Sequence, residues 1–445
     1  MAKNIIEKAP FRFDVSQAKK MLDYDYLLLY KEVDKNGRYL YWDKFKYRVQ
    51  EDDEPQKAWW AVKFARFNIR KPIMLFDKNS HPFYYTLPDS LEAKLYKISE
   101  LSRQGITPID SIKRNYLISS LITEEAISSS QLEGASTTRK VAKEMLSQKR
   151  KPKNKDEEMI LNNYLLMQEI KRIKDEPLNV DTILDLHAIA TRGSNENGNI
   201  PGRLRENDNI VIMDRDDNIL HQPPKHDTLV SRLQKLCDFA NQSHMGEGDG
   251  EFINPVVKAI ILHFMIGYEH PFADGNGRTA RAIFYWYMLK SGFDFFEYIS
   301  ISTFLKEAPK QYTLAYLYSE IDDNDLTYFI YYQADITLKA IDALYQYIEK
   351  KSREFEGLSR ILKGTELATL LNFVQKDIIQ KAIKTPGRVF NALEVSADYD
   401  ISANSARKYL NELVKYKLLI SGKQGKLITY ISPANLQEML KTYKQ

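Results

Sequence analysis

The alternation of apolar and polar positions divides the chain into three parts. Over residues 1–105, short apolar runs broken by Pro and Asn, as in RKPIMLFDKNSHPFYYTLP, predict strands and turns before LEAKLYKISEL returns to helical spacing. From 106 to 350 the apolar residues recur mainly with helical periodicity. After a polar, glycine-punctuated boundary, residues 365–445 have a compact pattern of their own. We therefore predict a mainly α-helical chain with an N-terminal α+β extension and a separate C-terminal domain.

Individual segments add detail to this picture. NPVVKAIILHFMIGY is apolar nearly all round, which predicts a buried helix. Two short apolar runs in NIVIMDRDDNILHQPP flank DRDDN, whose Asp and Asn residues suit the turn of a β-hairpin. Near the C-terminus, a helix at 369–384 precedes a second helix with Ser402 as candidate N-cap. Ala406, Leu410 and Leu413 mark the apolar face of that second helix, and GKQG predicts the turn of a closing hairpin.

The composition excludes several classes of protein. Lys plus Arg number 64 and Asp plus Glu 60, so the net charge of +4 gives no whole-chain attraction to nucleic acid. The single cysteine, Cys237, rules out an intrachain disulfide and a metal site built from several cysteines. MAKNIIEKAPFRFDV has no apolar core of a signal peptide, and AIILHFMIGY is too short to cross a bilayer. We expect a cytoplasmic protein with no membrane partner.

The candidate chemistry lies in HPFADGNGRTAR, residues 270–281. A helix that begins between Gly275 and Gly277 presents free N–H groups to an anion, and glycines allow a phosphate close to the backbone. Arg278 and Arg281, at i and i+3, lie on one side of that helix. The stretch therefore predicts a phosphate-binding helix start.

Further residues of the same stretch extend this chemistry. Asp274 offers an oxygen ligand to a Mg²⁺ ion riding on the phosphates, and His270 is placed to take a proton from an attacking hydroxyl. Phe272 is expected to turn inward and anchor the loop. An ordinary turn in which Asp274 or Asn276 caps the helix is the structural alternative. A calcium loop starting at Asp274 fails, because Tyr285 stands where an acid is required.

The stretch resembles the complete active-site motif of the Fic family, H-x-F-x-D/E-G-N-G-R-x-x-R. Fic enzymes mostly transfer the AMP moiety of ATP to a Ser, Thr or Tyr hydroxyl of a target protein. The resemblance implies a Fic catalytic domain over 106–350 with ATP as substrate and Mg²⁺ as cofactor, in which His270 is the base and Asp274 holds the metal. The residues that it implies for binding the nucleotide phosphates are Gly275, Asn276, Gly277, Arg278 and Arg281, the last at the γ-phosphate.

PGRLRENDNIVIMDRDDNILHQPP resembles the flap of the family, a hairpin beside the active site that holds the target segment by strand addition. The residues alone fit an ordinary surface hairpin equally well. The expected docking residues are Asn209, Ile210, Val211, Ile212, Asn218, Ile219 and Leu220.

SSQLEG, residues 129–134, resembles the inhibitory motif S/T-x-x-x-E-G/N of many Fic proteins. Ser129 and Glu133 share a helix face at i and i+4, and Gly134 is a plausible left-handed C-cap. The resemblance implies that Glu133 pairs with Arg281 and so occupies the guanidinium that orients the γ-phosphate. The motif precedes the catalytic one, as in the class with an N-terminal-side inhibitory helix. Removal of AMP by the same acid stays open as an alternative.

Four histidines outside the motif, His187, His221, His226 and His263, have no spacing that suits a metal site. Because His263 lies in the apolar helix and His187 on the face of ILDLHAIA, both are interpreted as packing residues.

The C-terminal pattern resembles a winged helix. Its second helix carries Arg407, Lys408, Lys415 and Lys417, which suit DNA phosphates. A protein-interaction module and a merely solvated basic face are the alternatives. The rival function is a DNA-binding regulator with a nucleotide-sensing Fic-like domain, and a Fic enzyme that transfers another phosphate-containing moiety is a further alternative. The expected partner is a target protein with a hydroxyl side chain, while DNA and further copies of this chain stay open.

Overall fold

The computed structural model describes residues 6–17, 23–103, 123–194, 198–213, 217–247, 250–399, 401–425 and 427–443. Its helices, numbered in chain order, are α1 Tyr24–Leu29, α2 Trp42–Phe45, α3 Pro55–Asn68, α4 Asp89–Arg103, α5 123–132, α6 Arg139–Ser147, α7 Lys155–Arg172, α8 Val180–Ala190, α9 Leu229–Asn241, α10 Pro255–Glu269, α11 Asn276–Lys290, α12 Ile301–Glu307, α13 Pro309–Ile321, α14 Thr327–Leu362, α15 Leu367–Leu370, α16 Phe373–Lys384, α17 Ala392–Tyr399, α18 Ala403–Lys415 and α19 Leu436–Thr442. Its strands are β1 Lys71–Phe76, β2 Pro82–Tyr85, β3 Ile212–Met213, β4 Ile219–His221, β5 Val389–Asn391, β6 Ile420–Gln424 and β7 Leu427–Ile431. The fold is mainly α-helical, as predicted. Within the described residues, no helix is both long enough and apolar enough to cross a membrane.

The strands form three small antiparallel sheets. In the first, β1 pairs with β2, which confirms the strands predicted between 70 and 88. In the second, β3 pairs with β4 in the hairpin predicted around DRDDN, with Ile212 opposite His221. Residues 214–216 of the predicted turn lie outside the described residues. In the third, β7 lies between β5 and β6.

The chain divides into two compact units. Unit 1 comprises Met1–Arg103, Leu165–Phe296 and Phe304–Lys339, and unit 2 comprises Gln104–Tyr164, Glu297–Thr303 and Ala340–Gln445. In unit 1 the N-terminal part is grouped with the segment that contains the motif at 270–281. The domain bounds predicted at 1–105, 106–350 and 365–445 stay a prediction.

Buried polar contacts explain why the N-terminal part belongs to unit 1. The Lys63 ammonium lies 2.8 Å from the Asp322 carboxylate. The Tyr39 hydroxyl donates to the Asp325 carboxylate at 2.6 Å, and both residues are buried. Removing one partner from such a pair leaves a buried charge uncompensated, so these contacts fix the N-terminal part to the segment around residue 322.

Unit 1 has α10 and α11 at its centre. Every residue of α10 except Pro255 and Gly267 is buried, which confirms the helix predicted to be buried all round. The helix begins with a proline at its first position and with the Asn254 side chain accepting from the Val256 N–H at 2.9 Å. It ends where the motif at 270–281 starts, and α11 begins within that motif.

Unit 2 contains the C-terminal elements in the order helix, strand, two helices and hairpin. The capping box of Asn372 and Gln375 begins α16. Ser402 caps α18 as predicted, accepting from the Ser405 N–H at 3.0 Å. The predicted apolar face of α18 is also confirmed, because Ala406, Leu410 and Leu413 are buried. Assignment of these elements to the winged-helix class stays a prediction.

Candidate active site

His270 is the first residue after α10 and ends that helix in a left-handed conformation, with φ 43° and ψ 56°. Its N–H donates to the Ile266 carbonyl at 3.1 Å, which closes the last helical turn. The left-handed conformation costs a residue with a Cβ about 1 kcal/mol or more, and such strain concentrates at functional sites. The predicted base therefore occupies a strained, half-buried position at the end of a buried helix.

The loop between the two helices is held together by Asn276. Its side-chain oxygen accepts from the Phe272 N–H at 3.0 Å, and its side-chain nitrogen donates to the Phe272 carbonyl at 2.8 Å. The Phe272 ring is completely buried, as expected for an anchor. Because both ends of the Asn276 amide serve the loop, this residue offers a phosphate its backbone N–H.

The start of α11 has the geometry of an anion site. Gly275 precedes it with φ +80°, and Thr279 donates its N–H to the Gly275 carbonyl at 3.0 Å. The N–H groups of residues 276–278 come before the first helical bond and therefore have no acceptor within the helix. Such groups, together with the helix dipole, favour a negatively charged ligand.

Asp274 and Arg278 form an ion pair beside this helix start. The Arg278 guanidinium donates to the Asp274 carboxylate at 2.8 Å and to the Ala190 carbonyl at 2.7 Å. The Arg278 side chain is 2% exposed, whereas that of Asp274 is 22% exposed. The structure thus brings the two residues together, with the carboxylate as the more accessible partner; the phosphate role of Arg278 stays a prediction.

Asp274 fits the predicted metal. Mg²⁺ is usually held by one or two carboxylates together with substrate phosphates and water, so a single accessible carboxylate beside a candidate anion site suits it. Among the described residues, no three or more His, Cys, Asp or Glu side chains are grouped so that they could hold a metal ion.

Arg281 lies one turn further along α11 and is 1% exposed. Burial, and then the charge of Arg281, keep the pKa of His263 well below its ordinary value. The Nε2 atom of His263 lies 2.7 Å from the Tyr312 hydroxyl. His263 is therefore a neutral core histidine, as interpreted from the sequence, and Arg281 is the buried cation beside it.

His187 on α8 fixes the other end of the loop, a role that sequence reasoning missed. Its ring stacks on the Phe272 ring with centroids 3.6 Å apart and planes 3° apart. The Gly202 N–H donates to Nδ1 at 3.1 Å, so Nε2 carries the proton and donates to the Asp274 carbonyl at 2.9 Å. Burial lowers the pKa of His187 to about 4. The neutral ring therefore joins the loop, α8 and the segment at Gly202.

Two arginines outside the motif hold its first residue, His270, and the residue before it, Glu269, and sequence reasoning missed both. The Arg205 side chain donates to the His270 carbonyl at 3.0 Å. Arg232 donates two bonds to the Glu269 carboxylate, at 2.6 and 2.8 Å, and one to the Phe76 carbonyl at 2.6 Å. Their acceptors are backbone carbonyls or a carboxylate far along the chain, which no local sequence pattern marks.

The β3–β4 hairpin, which carries the predicted flap residues, is joined to the end of α10. His221, the last residue of β4, lies with Nε2 2.7 Å from the Tyr268 carbonyl and with Nδ1 2.6 Å from the Glu320 carboxylate. Along the hairpin, Met213 and Ile219 are exposed. The hairpin is therefore attached to the chain two residues before His270; target docking stays a prediction.

The segment 129–134 ends α5 in unit 2. Ser129 is buried, whereas Glu133 and Gly134 are exposed. Ala135 donates its N–H to the Ser130 carbonyl at 3.0 Å and Gly134 to the Gln131 carbonyl at 3.2 Å, with φ +103° at Gly134. This is a Schellman motif, which confirms Gly134 as the left-handed C-cap. Because Glu133 belongs to unit 2 and Arg281 to unit 1, their pairing stays a prediction.

Near the start of α5, Glu125 anchors the helix within unit 2. The buried Glu125 carboxylate accepts from the Ser300 hydroxyl at 2.7 Å and from the Ser302 N–H at 3.2 Å, and it also bonds the Ser302 hydroxyl. The Ser130 hydroxyl accepts from the Asn163 side chain at 2.8 Å. The sequence analysis did not identify this role of Glu125.

Comparison with known proteins places the site in a family. Residues 177–288 match the profile of the Fic/DOC family. This segment contains His187, Arg205, the hairpin and the complete loop from His270 to Arg281. The chain therefore contains a Fic domain, as the motif predicted.

Several relatives that match part of this chain are named protein adenylyltransferase Fic. A protein adenylyltransferase Fic of Nematostella vectensis is 26% identical over 156 residues, which is 33% of this chain and 32% of the relative. A protein adenylyltransferase Fic of Drosophila virilis is 28% identical over 122 residues, 27% of this chain and 22% of the relative. The match thus spans about a third or less of these relatives. The crystal structure of a Fic family protein from Desulfovibrio desulfuricans resembles this chain with a TM-score of 0.48 at 16% identity, covering 78% of this chain and 97% of that one.

Proposed function

We propose that this chain is a protein adenylyltransferase that transfers AMP from ATP to a hydroxyl side chain of a target protein. The observation that carries the proposal is the loop itself, in which a strained His270 and the accessible Asp274 carboxylate flank the N-terminus of α11. A base, a metal ligand and an anion site are the parts that phosphoryl chemistry requires. The names of the relatives that share residues of this domain support the same reaction.

The reaction is an in-line displacement at the α-phosphorus. The His270 imidazole takes the proton of the target hydroxyl while the hydroxyl oxygen forms a bond to the α-phosphorus. The bond from the α-phosphorus to the oxygen bridging to the β-phosphate breaks, and pyrophosphate leaves. Mg²⁺ bound at Asp274 would neutralise charge on the phosphates, and the N–H groups that begin α11 would stabilise the charge that develops.

We further propose that Glu133 inhibits this activity by competing with the γ-phosphate for Arg281. The match of residues 129–134 to the inhibitory motif and the place of Arg281 in the second turn of α11, beside the anion site, support this regulation. The wild type is then expected to have low transferase activity until Glu133 is displaced.

The test compares the wild type, Glu133→Gly and Glu133→Gly/His270→Ala with Mg²⁺ and ATP labelled on either the α- or the γ-phosphate. AMP transfer predicts that Glu133→Gly labels protein from α-labelled but not from γ-labelled ATP, and that the double variant loses about 10²-fold or more of this activity. Label from the γ-phosphate would instead indicate phosphate transfer. An inactive Glu133→Gly variant would contradict both inhibition and transfer, and full activity without His270 would contradict its role as base.

A second candidate function, DNA binding by the C-terminal module, rests on the outer face of α18. Its exposed polar residues include Asn404, Arg407, Lys408, Asn411 and Lys415. The α17–α18 pair suits a helix-turn-helix, whose second helix enters the major groove. If Arg407 and Lys408 contact phosphates, Arg407→Gln/Lys408→Gln should lower the salt dependence of duplex binding by about two counterions. Affinity unchanged by both salt and the variant would contradict DNA binding.

A further inference from the structure

We propose that Arg205 is a positioning residue that couples the base of the β3–β4 hairpin to His270. The inference rests on the proposed function, in which the target protein docks on this hairpin and His270 acts as base. Through Arg205, a target that orders the hairpin also orders the histidine that activates its hydroxyl.

Arg205 makes two hydrogen bonds to residues 270–275, the loop between α10 and α11 that we call the catalytic loop. Its backbone N–H donates to the Pro271 carbonyl at 2.9 Å, and its Nε donates to the His270 carbonyl at 3.0 Å. The side chain is 2% exposed. Both acceptors lie at the point where the chain leaves α10 in a left-handed conformation, and strained backbone persists only where its surroundings over-determine it.

The remaining donors of the same guanidinium hold both ends of the hairpin. One terminal nitrogen donates to the Asn207 carbonyl and to the Asp208 carboxylate, each at 2.9 Å, just before β3. The other donates to the Pro224 carbonyl, just after β4. The planar guanidinium of Arg205 therefore donates to the chain before the hairpin, to the chain after it and to the carbonyl of His270.

Asp208 connects Arg205 to the chain that follows the hairpin. Its carboxylate also accepts from the His226 N–H at 2.7 Å, and this bond is the main cause of its lowered pKa. The negative partner of Arg205 is thus fixed to the chain that follows the hairpin. A lysine cannot replace this network, because a single ammonium cannot direct donors along the fork of a guanidinium.

The contacts of Arg205 also define what its loss should spare. Among the described residues, it bonds His270, Pro271 and the hairpin ends, and not the N–H groups at 276–278 or the Arg278 side chain. Loss of Arg205 should therefore lower turnover while leaving nucleotide binding in place. A residue that serves stability alone would lower both together.

The test uses the full chain with Glu133→Gly as parent, and adds Arg205→Lys or, as matched control, Arg203→Lys. Arg203 lies two residues away in the same segment and is exposed. Displacing a catalytic group by about 1 Å costs on the order of 100-fold in rate, so Arg205→Lys is expected to lower kcat for labelling by about 30-fold or more. Its Kd for ATP should stay within about threefold of the parent, and Arg203→Lys should match the parent in both.

Backbone hydrogen exchange followed by mass spectrometry supplies a readout that does not need activity. Arg205→Lys is expected to raise exchange both in the peptide containing residues 217–224 and in the one containing 270–275, but not in the body of α11. Faster exchange in only one of those two peptides, labelling within threefold of the parent, or a fall in ATP affinity parallel to turnover would each overturn the proposal. A parent that labels nothing contradicts the proposed function instead, and exchange then decides the coupling by itself.

Discussion

Gly275 in the catalytic loop and Gly134 after α5 stand at helix ends in the same left-handed conformation, yet their surroundings differ. A Cβ at Gly275 would lie 2.4 Å from Thr191 Cγ2 and 3.2 Å from His187 Cδ2. A Cβ at Gly134 would meet no atom of the described residues within 4 Å. Gly275 is required by both backbone and space, whereas Gly134 is required by backbone conformation.

The same contrast holds for the segments around the two glycines. Side chains of His187, Arg205 and Arg278 hold the catalytic loop, and two of these come from more than 60 residues away in the chain. The end of α5 is closed by local backbone bonds and by the Asn163 side chain on the Ser130 hydroxyl, while Glu125 anchors the helix two turns upstream. The placement of His270 is thus determined mainly by tertiary contacts, whereas Glu133 stands at a helix end closed by local backbone bonds.

Gly275→Ala is expected to have the largest effect. The left-handed backbone and the contact with Thr191 Cγ2 together should lower the free energy of unfolding of unit 1 by about 3–4 kcal/mol. All four tryptophans, at positions 42, 59, 60 and 286, belong to unit 1, so urea denaturation followed by tryptophan fluorescence reports on this unit.

The control for this prediction separates crowding from backbone strain. Thr191→Ser removes the Cγ2 methyl but keeps the hydroxyl that donates to the His187 carbonyl at 2.8 Å. Adding it to Gly275→Ala should restore about 1–2 kcal/mol, the part due to overpacking. If the losses of unfolding free energy of the two single variants simply add in the double variant, the Thr191 methyl does not crowd the new Cβ, and the prediction is wrong.

The contrast also explains what the sequence could predict. The motif at 270–281 was found because its residue types are contiguous, and the buried Phe272 and the start of α11 followed from them. His187 and Arg205 were not found, because they bind the backbone carbonyls of Asp274 and His270, and every residue has such a carbonyl.

The fold shows the same limit. Helices and strands followed from local periodicity, including the buried α10 and the Ser402 cap. The grouping of the N-terminal part into unit 1 depends on pairs such as Lys63 with Asp322, separated by 259 residues, which no local pattern encodes.

Glu125→Ala tests the upstream anchor of α5. Removing the carboxylate leaves the two Ser300 and Ser302 hydroxyls and the Ser302 N–H without this buried acceptor, which should cost unit 2 about 2–3 kcal/mol. Far-UV circular dichroism should show part of the helical signal lost at lower urea, while the tryptophan transition of unit 1 stays in place. Glu125→Gln keeps one acceptor oxygen and should lose about half as much. Equal losses in both variants would contradict a role based on these hydrogen bonds.

Lowering the pH should reduce the free energy of unfolding of unit 1 through protonation of His187. Its pKa in the folded chain is about 4, below the ordinary 6.5, so between these values the unfolded chain binds a proton that the folded chain does not. Stability due to the neutral ring is therefore complete above pH 6.5 and falls by about 2 kcal/mol from pH 7 to pH 5. His187→Gln cannot titrate, so fluorescence-monitored urea curves should show a smaller acid loss for this variant than for the wild type. Equal acid losses would mean that the ring is not held neutral.

Gly134→Ala should have the smallest effect and completes the comparison with Gly275. Only the left-handed conformation opposes the new methyl group, so we expect a loss of about 1 kcal/mol, measured by circular dichroism in urea. Gly134→Asn should recover part of that loss, since Asn adopts this conformation more readily than Ala. A loss as large as that of Gly275→Ala would mean that the end of α5 is as tightly enclosed as the catalytic loop. It would also mean that Glu133, one residue earlier, is fixed by its surroundings rather than free to be displaced from an inhibitory pairing.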